Sequence, residues 1–142
     1  LGGTLYASDG ALEEMIMRRT ILAVDDEQAL LALLEASLVT ADFNVHKAAN
    51  GKDALKLAHK LQPDLILLDI LMPGMNGYEV LEQLKNDDNT AMIPVIMLSG
   101  LSDEEAKIKS AELYSESYLT KPFTTGELLA KIEEVFRRRG NG

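Results

Sequence analysis

The stretch Asp64-Leu65-Ile66-Leu67-Leu68-Asp69-Ile70-Leu71-Met72-Pro73-Gly74-Met75-Asn76-Gly77 decides the fold. An apolar run, read as a strand from Asp64 to Asp69, ends on a carboxylate that scaffolding would not need. A helix follows from Gly77 to Lys85. The same device recurs on both sides: Ile21-Val24 runs into Asp25-Asp26, Ile93-Leu98 into Ser99, and Tyr118-Thr120 into Lys121. If these runs are parallel strands separated by helices, an open α/β sheet gathers their carboxyl ends along one rim, where such folds bind ligands. Three carboxylates, one hydroxyl and one ammonium then share a crevice.

Working outward, the pattern predicts strands at Thr20-Val24, Asn44-Ala48, Asp64-Asp69, Ile93-Leu98 and Ser117-Thr120. Helices are predicted at Glu27-Thr40, Gly51-Leu61, Gly77-Lys85, about Asp103-Leu113, and Thr125-Arg138. Five strands alternating with five helices imply a parallel sheet covered on both faces. Ser102 with Glu105, and Thr124 with Glu127, have capping-box spacing at the starts of the last two helices. Asn50-Gly51 resembles a hairpin turn, but a helical pattern follows it, so it reads as a strand-to-helix loop. The last helix carries Leu128, Leu129, Ile132, Val135 and Phe136 on one stripe and ends in Arg137-Arg138-Arg139, which suit the negative end of a helix dipole.

At 142 residues the chain is expected to form one domain over 19–139. Residues 1–18 read as a tail, a linker or a cloning remnant, although Leu12, Met15 and Ile16 have helical spacing; residues 140–142 read as a short tail. With 23 acidic against 14 basic residues and a net charge of -9, a broad nucleic-acid surface is not expected. The lack of cysteine removes disulfides and thiolate metal sites. No apolar run approaches the roughly twenty residues that span a bilayer. These features set the expectation of a cytoplasmic protein without membrane contact.

Asp25, Asp26 and Asp69 in one crevice repel one another by about 4 kcal/mol per pair some 4 Å apart at an effective dielectric near 20. A cation must offset that repulsion. Oxygen ligands without His or Cys point to a hard divalent ion, and Mg²⁺ keeps waters for an incoming phosphate. Lys121 adds a fixed positive charge and Ser99 a donor and acceptor, so the crevice suits a phosphoryl group beside a metal.

From about Arg19 to Arg138 these residues resemble the receiver domains of two-component response regulators, the CheY-like superfamily. The resemblance rests on Val24-Asp25-Asp26-Glu27, Asp69-Ile70-Leu71-Met72-Pro73-Gly74-Met75-Asn76-Gly77, Ser99-Gly100, and Tyr118-Leu119-Thr120-Lys121-Pro122-Phe123. All four motifs stand in order at strand ends, which makes the signal specific. It implies a flavodoxin-like (βα)5 three-layer sandwich, doubly wound, with a five-stranded parallel sheet in the order 2-1-3-4-5.

Residue by residue, the resemblance implies that Asp69 accepts a phosphoryl group from a sensor histidine kinase or phosphotransfer protein. Asp26 and Asp69 would bind Mg²⁺ with the Leu71 carbonyl, and Asp25 mainly through water. Lys121 would stabilise the phosphoryl charge. Ser99 and Tyr118 would be the switch pair, read by an output protein or fused domain on the face made by residues 103–113, 117–120 and 125–138, where a homodimer could also form. Lys121-Pro122 resembles the family's cis peptide. Gly100 could leave room for the phosphoryl group or be an ordinary loop glycine. The chain would be a signalling switch, catalysing only its own phosphoryl transfer and dephosphorylation.

Two departures stand out. Tyr114-Ser115-Glu116-Ser117 replaces the family's common Gly-Ala and acidic residues. Leu71 and Leu101, each two beyond a site residue, offer no group to orient water, so slow self-dephosphorylation is expected. His46 and His59 read as surface histidines, and Met72 and Met75 as packing beneath Asp69. The rival readings are a degenerate receiver acting as a binding module, and a Mg²⁺-dependent phosphohydrolase. The hydrolase would want a second acid near the nucleophile, where Ile70 and Leu71 stand. Nucleotide binding lacks both a P-loop and a dinucleotide glycine fingerprint.

Overall fold

The computed structural model describes residues 18–100 and 117–140. Strands β1 (Thr20–Val24), β2 (Asn44–Ala48), β3 (Leu65–Asp69), β4 (Val95–Ser99) and β5 (Ser117–Thr120) form one parallel sheet. Helices α1 (Gln28–Thr40), α2 (Gly51–Leu61), α3 (Gly77–Lys85) and α4 (Thr125–Arg138) complete the described elements. The strand order is β2-β1-β3-β4-β5, as expected. The helix expected near 103–113, its Ser102–Glu105 box, Leu101 and Tyr114 lie outside the described residues.

Side chains alternate across the strands because successive residues point to opposite faces. Leu22, Val24, Ile66, Leu68, Val95 and Met97 join the core under α2 and α3. Ile21, Ala23, Leu65, Leu67, Ile96 and Leu98 join the one under α1 and α4. Both faces of the central strands are therefore buried, which explains why β3 and β4 read as continuous apolar runs. The edge strands β2 and β5 carry mixed sequences, Asn-Val-His-Lys-Ala and Ser-Tyr-Leu-Thr, and are only partly buried.

Three boundaries differ from expectation. Glu27 has an extended backbone and is the N-cap of α1, not its first turn. Asp64 precedes β3, where its carboxylate accepts from the Thr20 N–H at 2.7 Å. Strand β4 begins at Val95 and includes Ser99, because Pro94 has no N–H for the ladder; its carbonyl still accepts from the Ile66 N–H at 3.0 Å. Asn50 caps α2 by accepting from the Asp53 N–H, and Thr124 with Glu127 forms the expected capping box on α4. No helix among the described residues is long and apolar enough to cross a membrane.

Candidate functional site

The chain turns outward from β1 to β2 and then crosses back to β3, so the loops leaving β1 and β3 diverge and open a crevice above the sheet. Asp25 lies directly after β1, and its N–H still donates to the Ala48 carbonyl at 3.1 Å. Its side chain is 1% exposed, a position a carboxylate holds only with partners. Oδ1 accepts from the Glu27 N–H at 2.9 Å, and Oδ2 from Lys121 Nζ at 2.9 Å. Asp69, the last residue of β3, is 4% exposed, and its Oδ1 accepts from the same Nζ at 3.0 Å. One ammonium thus bridges carboxylates from two neighbouring strands.

Lys121 is aimed by the sheet. Its N–H donates to the Ser99 carbonyl at 2.6 Å, prolonging the β4–β5 ladder by one residue, and the Lys121–Pro122 peptide is cis. Ser99 is buried and pairs in register with Thr120. Tyr118 sits further down β5 opposite Met97, half-buried against the core under α2 and α3.

Asp26 is exposed beside Asp25, and carboxylate oxygens of Asp25, Asp26 and Asp69 all lie within 4.8 Å of one another. Leu71 and Gly100 border the same crevice of about 400 Å³, together with Glu27 and Lys121. Three carboxylates against one ammonium leave a local excess of negative charge. The all-oxygen donor set and its spacing fit a small hard cation such as Mg²⁺.

Burial, reinforced by the fields of Asp25 and Asp26, pushes the Asp69 carboxyl above the usual carboxylate range, against the downward pull of its Lys121 hydrogen bond. Burial alone would lower Lys121, but its hydrogen bonds to Asp25 and Asp69 outweigh this and raise it. The ammonium is therefore held firmly charged, while burial disfavours the charge on Asp69.

Several neighbours complete the picture. Met72 is buried and Met75 packs partly against the same core, below the loop that follows Asp69. His46 and His59 are exposed, and His59 Nδ1 lies 3.5 Å from Asp87. A Cβ added to Gly100 would meet nothing within 4 Å. Gly77 is different, and its role went unread in the sequence. A Cβ there would lie 2.2 Å from the Asp69 carbonyl oxygen and 2.8 Å from Ile70 Cα, while its N–H donates to the Ile70 carbonyl at 2.8 Å. The loop after β3 closes on its own start only because residue 77 has no side chain. Asn76 and Glu79 form a capping box that brackets it, a signal that the Asn-x-x-Glu spacing could have given.

A doubly wound α/β domain with an acidic, lysine-bridged crevice at its switch point defines the class. The chain belongs to the response regulator receiver domain family, whose profile matches residues 21–133. It is 40% identical over 118 residues to the DNA-binding dual master transcriptional regulator RpaA of Synechocystis, covering 83% of this chain and 49% of RpaA. It is also 40% identical over 124 residues to the phosphate regulon transcriptional regulatory protein PhoB of Pseudomonas aeruginosa, covering 87% of this chain and 54% of PhoB. The chain thus spans about half the length of the curated relatives it matches. Among solved structures, the chemotaxis protein CheY4 of Vibrio cholerae superposes with a TM-score of 0.80 at 30% identity, covering 83% of this chain and 98% of that one.

Proposed function

We propose that this receiver domain is the phosphoacceptor of a two-component relay, with Asp69 as the residue modified. A carboxylate oxygen of Asp69 attacks the phosphorus of a phosphohistidine on a sensor kinase or phosphotransfer protein. A P–O bond forms as the P–N bond breaks, and the departing imidazole keeps the electron pair and takes up a proton. Asp69 needs no general base, because Lys121 stabilises its ionised form. The observation that carries this reading is the single Nζ lying 2.9 Å from Asp25 and 3.0 Å from Asp69, a fixed charge beside the nucleophile where phosphoryl oxygens would gather.

Asp26, Asp69 and the Leu71 carbonyl would hold Mg²⁺, with Asp25 acting mainly through water. When bound, the ion supplies Lewis-acid neutralisation of the phosphoryl oxygens. Once Asp69 is an acyl phosphate, the Ser99 hydroxyl hydrogen-bonds a phosphoryl oxygen and Tyr118 moves inward, shifting the population of the surface around β5 and α4 toward a partner-binding form. The relatives RpaA and PhoB are named as transcriptional regulators, which supports an output that acts on transcription, through a fused domain or a separate protein. With its net charge of -9, the receiver itself is not the nucleic-acid reader.

Intact mass after incubation with a small-molecule phosphodonor and Mg²⁺ tests this reading, using the wild type and Asp69→Asn in parallel. A Mg²⁺-dependent gain of one phosphoryl group in the wild type alone is expected. An equal gain in the variant would remove Asp69 from the reaction, and a gain that does not depend on the ion would remove Mg²⁺ from it.

A further inference from the structure

On the side of the sheet opposite α2 and α3, a trough follows the seam between α1 and α4. One end, about 380 Å³, has apolar walls of Phe43, Leu129, Ile132 and Phe136, with Arg19 and Arg137 at the rim. It continues over Ala36, Ser37 and Thr40, sharing Ala41 and Leu129 with the first part. Phe43 and Leu129 are only partly buried against the core below, so their outer surfaces face the trough.

Three observations point to one occupant. The described chain enters the domain at this trough. The Arg18 carbonyl accepts from Asn44 Nδ2 at 3.4 Å, the Arg19 carbonyl accepts from the Asn44 N–H at 3.0 Å, and the Arg19 guanidinium lies 4.3 Å from the Phe136 ring centroid. Whatever precedes Arg18 is therefore tethered at the rim, and Leu12 is within reach, since six residues span at most on the order of 20 Å. That preceding stretch carries Leu12, Met15 and Ile16 at helical spacing, an apolar set that the phosphoacceptor site does not use. Charge agrees as well. Residues 1–17 hold Asp9, Glu13 and Glu14 with no Lys or Arg, whereas the first part of the trough has two arginines against Glu133, a local positive balance on an acidic protein.

We propose that the trough between α1 and α4 seats the chain's own N-terminal segment, with Leu12, Met15 and Ile16 against Phe43, Leu129 and Phe136. Tethering makes this contact intramolecular, so its effective concentration is high and a small apolar patch suffices. Glu13 and Glu14 would face the arginine rim.

The 142-residue chain has no tryptophan, so Ile16→Trp in that chain is a clean reporter. The expected result is blue-shifted emission and several-fold weaker quenching by acrylamide than in denaturant, independent of protein concentration. Adding Leu129→Glu should move the emission to the red and restore quenching. Arg137→Glu, at an exposed residue of the rim, should do so in part. Far-ultraviolet dichroism checks that each variant remains folded. A reporter quenched as freely as in denaturant, or one unaffected by both trough variants, overturns the proposal. Shielding that grows with protein concentration also overturns it, by naming a second copy as the occupant.

Discussion

Replacing Asp69 by asparagine should stabilise the metal-free protein. The substitution keeps the shape and removes one charge from a cluster whose carboxylate oxygens lie within 4.8 Å of one another, with Lys121 3.0 Å from Asp69. At an effective dielectric near 20, repulsion from Asp25 and Asp26 is about 3.5 kcal/mol each, against about 5.5 kcal/mol of attraction to Lys121. Solvent screens the exposed Asp26, but the variant also escapes the desolvation that dominates the upward shift of Asp69. The balance favours asparagine by about 2 kcal/mol, which for a chain of this size raises Tm by about 5–8 °C. The assay is thermal unfolding followed by circular dichroism near neutral pH in a chelator, then in Mg²⁺. The chelator result should favour Asn, and Mg²⁺ should narrow the gap by stabilising the wild type more. The pH dependence has a fixed sign. Because the folded Asp69 carboxyl titrates above its unfolded value, the wild type loses stability as pH rises through that higher value, and below the ordinary carboxylate range both states are protonated and the penalty is absent. The advantage of Asn should therefore be full near neutrality and fade in acid. A variant less stable than wild type in chelator, or one that Mg²⁺ stabilises equally, would refute the reasoning.

Other perturbations test separate parts. Lys121→Ala leaves two buried carboxylates without their shared cation and should destabilise the fold by about 3 kcal/mol in urea titration. Since the Lys121 ammonium is raised above its unfolded value, the stability it contributes should be complete below the ordinary lysine pKa and be lost only as pH climbs through the higher folded value; an unchanged urea midpoint in the variant would sink that pairing. Gly77→Ala places a Cβ against the Asp69 carbonyl and Ile70 Cα, both backbone, so a loss of about 1–3 kcal/mol is expected, with weaker Mg²⁺ binding by calorimetry. Leu71 is 64% exposed at the crevice rim, where an apolar side chain cannot orient water. Leu71→Asn should speed loss of the acyl phosphate several-fold by time-resolved intact mass, and a wild-type half-life of only seconds with Mg²⁺ present would contradict slow self-dephosphorylation.

Local pattern made most of the sheet legible. The continuous apolar run Leu65-Leu68 signals burial on both faces, and the mixed Asn44-Ala48 signals an edge, because each strand's surroundings are written in its own alternation. The start of β4 was misplaced because Ile93 is apolar and buried like a strand residue, yet Pro94 breaks the ladder after it. Asp25, Asp26, Asp69 and Lys121 could each be picked out as polar ends to apolar runs. Their meeting could not be read locally, since Lys121 and Asp25 are 96 residues apart; the parallel topology and the family resemblance supplied it. Gly77 escaped for a different reason. Its need to lack a side chain comes from the loop after β3 folding back on Asp69, a tertiary approach that leaves only a glycine in the sequence, and glycines before helices are common.

The central claim is that the phosphoryl group resides on Asp69 as an acyl phosphate. Borohydride reduction after treatment with phosphodonor and Mg²⁺, followed by peptide mapping, tests it most directly, because reduction converts an aspartyl phosphate to homoserine. The account predicts homoserine at position 69 in the treated wild type and none when donor or Mg²⁺ is omitted. Homoserine at another aspartate, or a phosphoryl group on Ser99 that resists reduction, would contradict it.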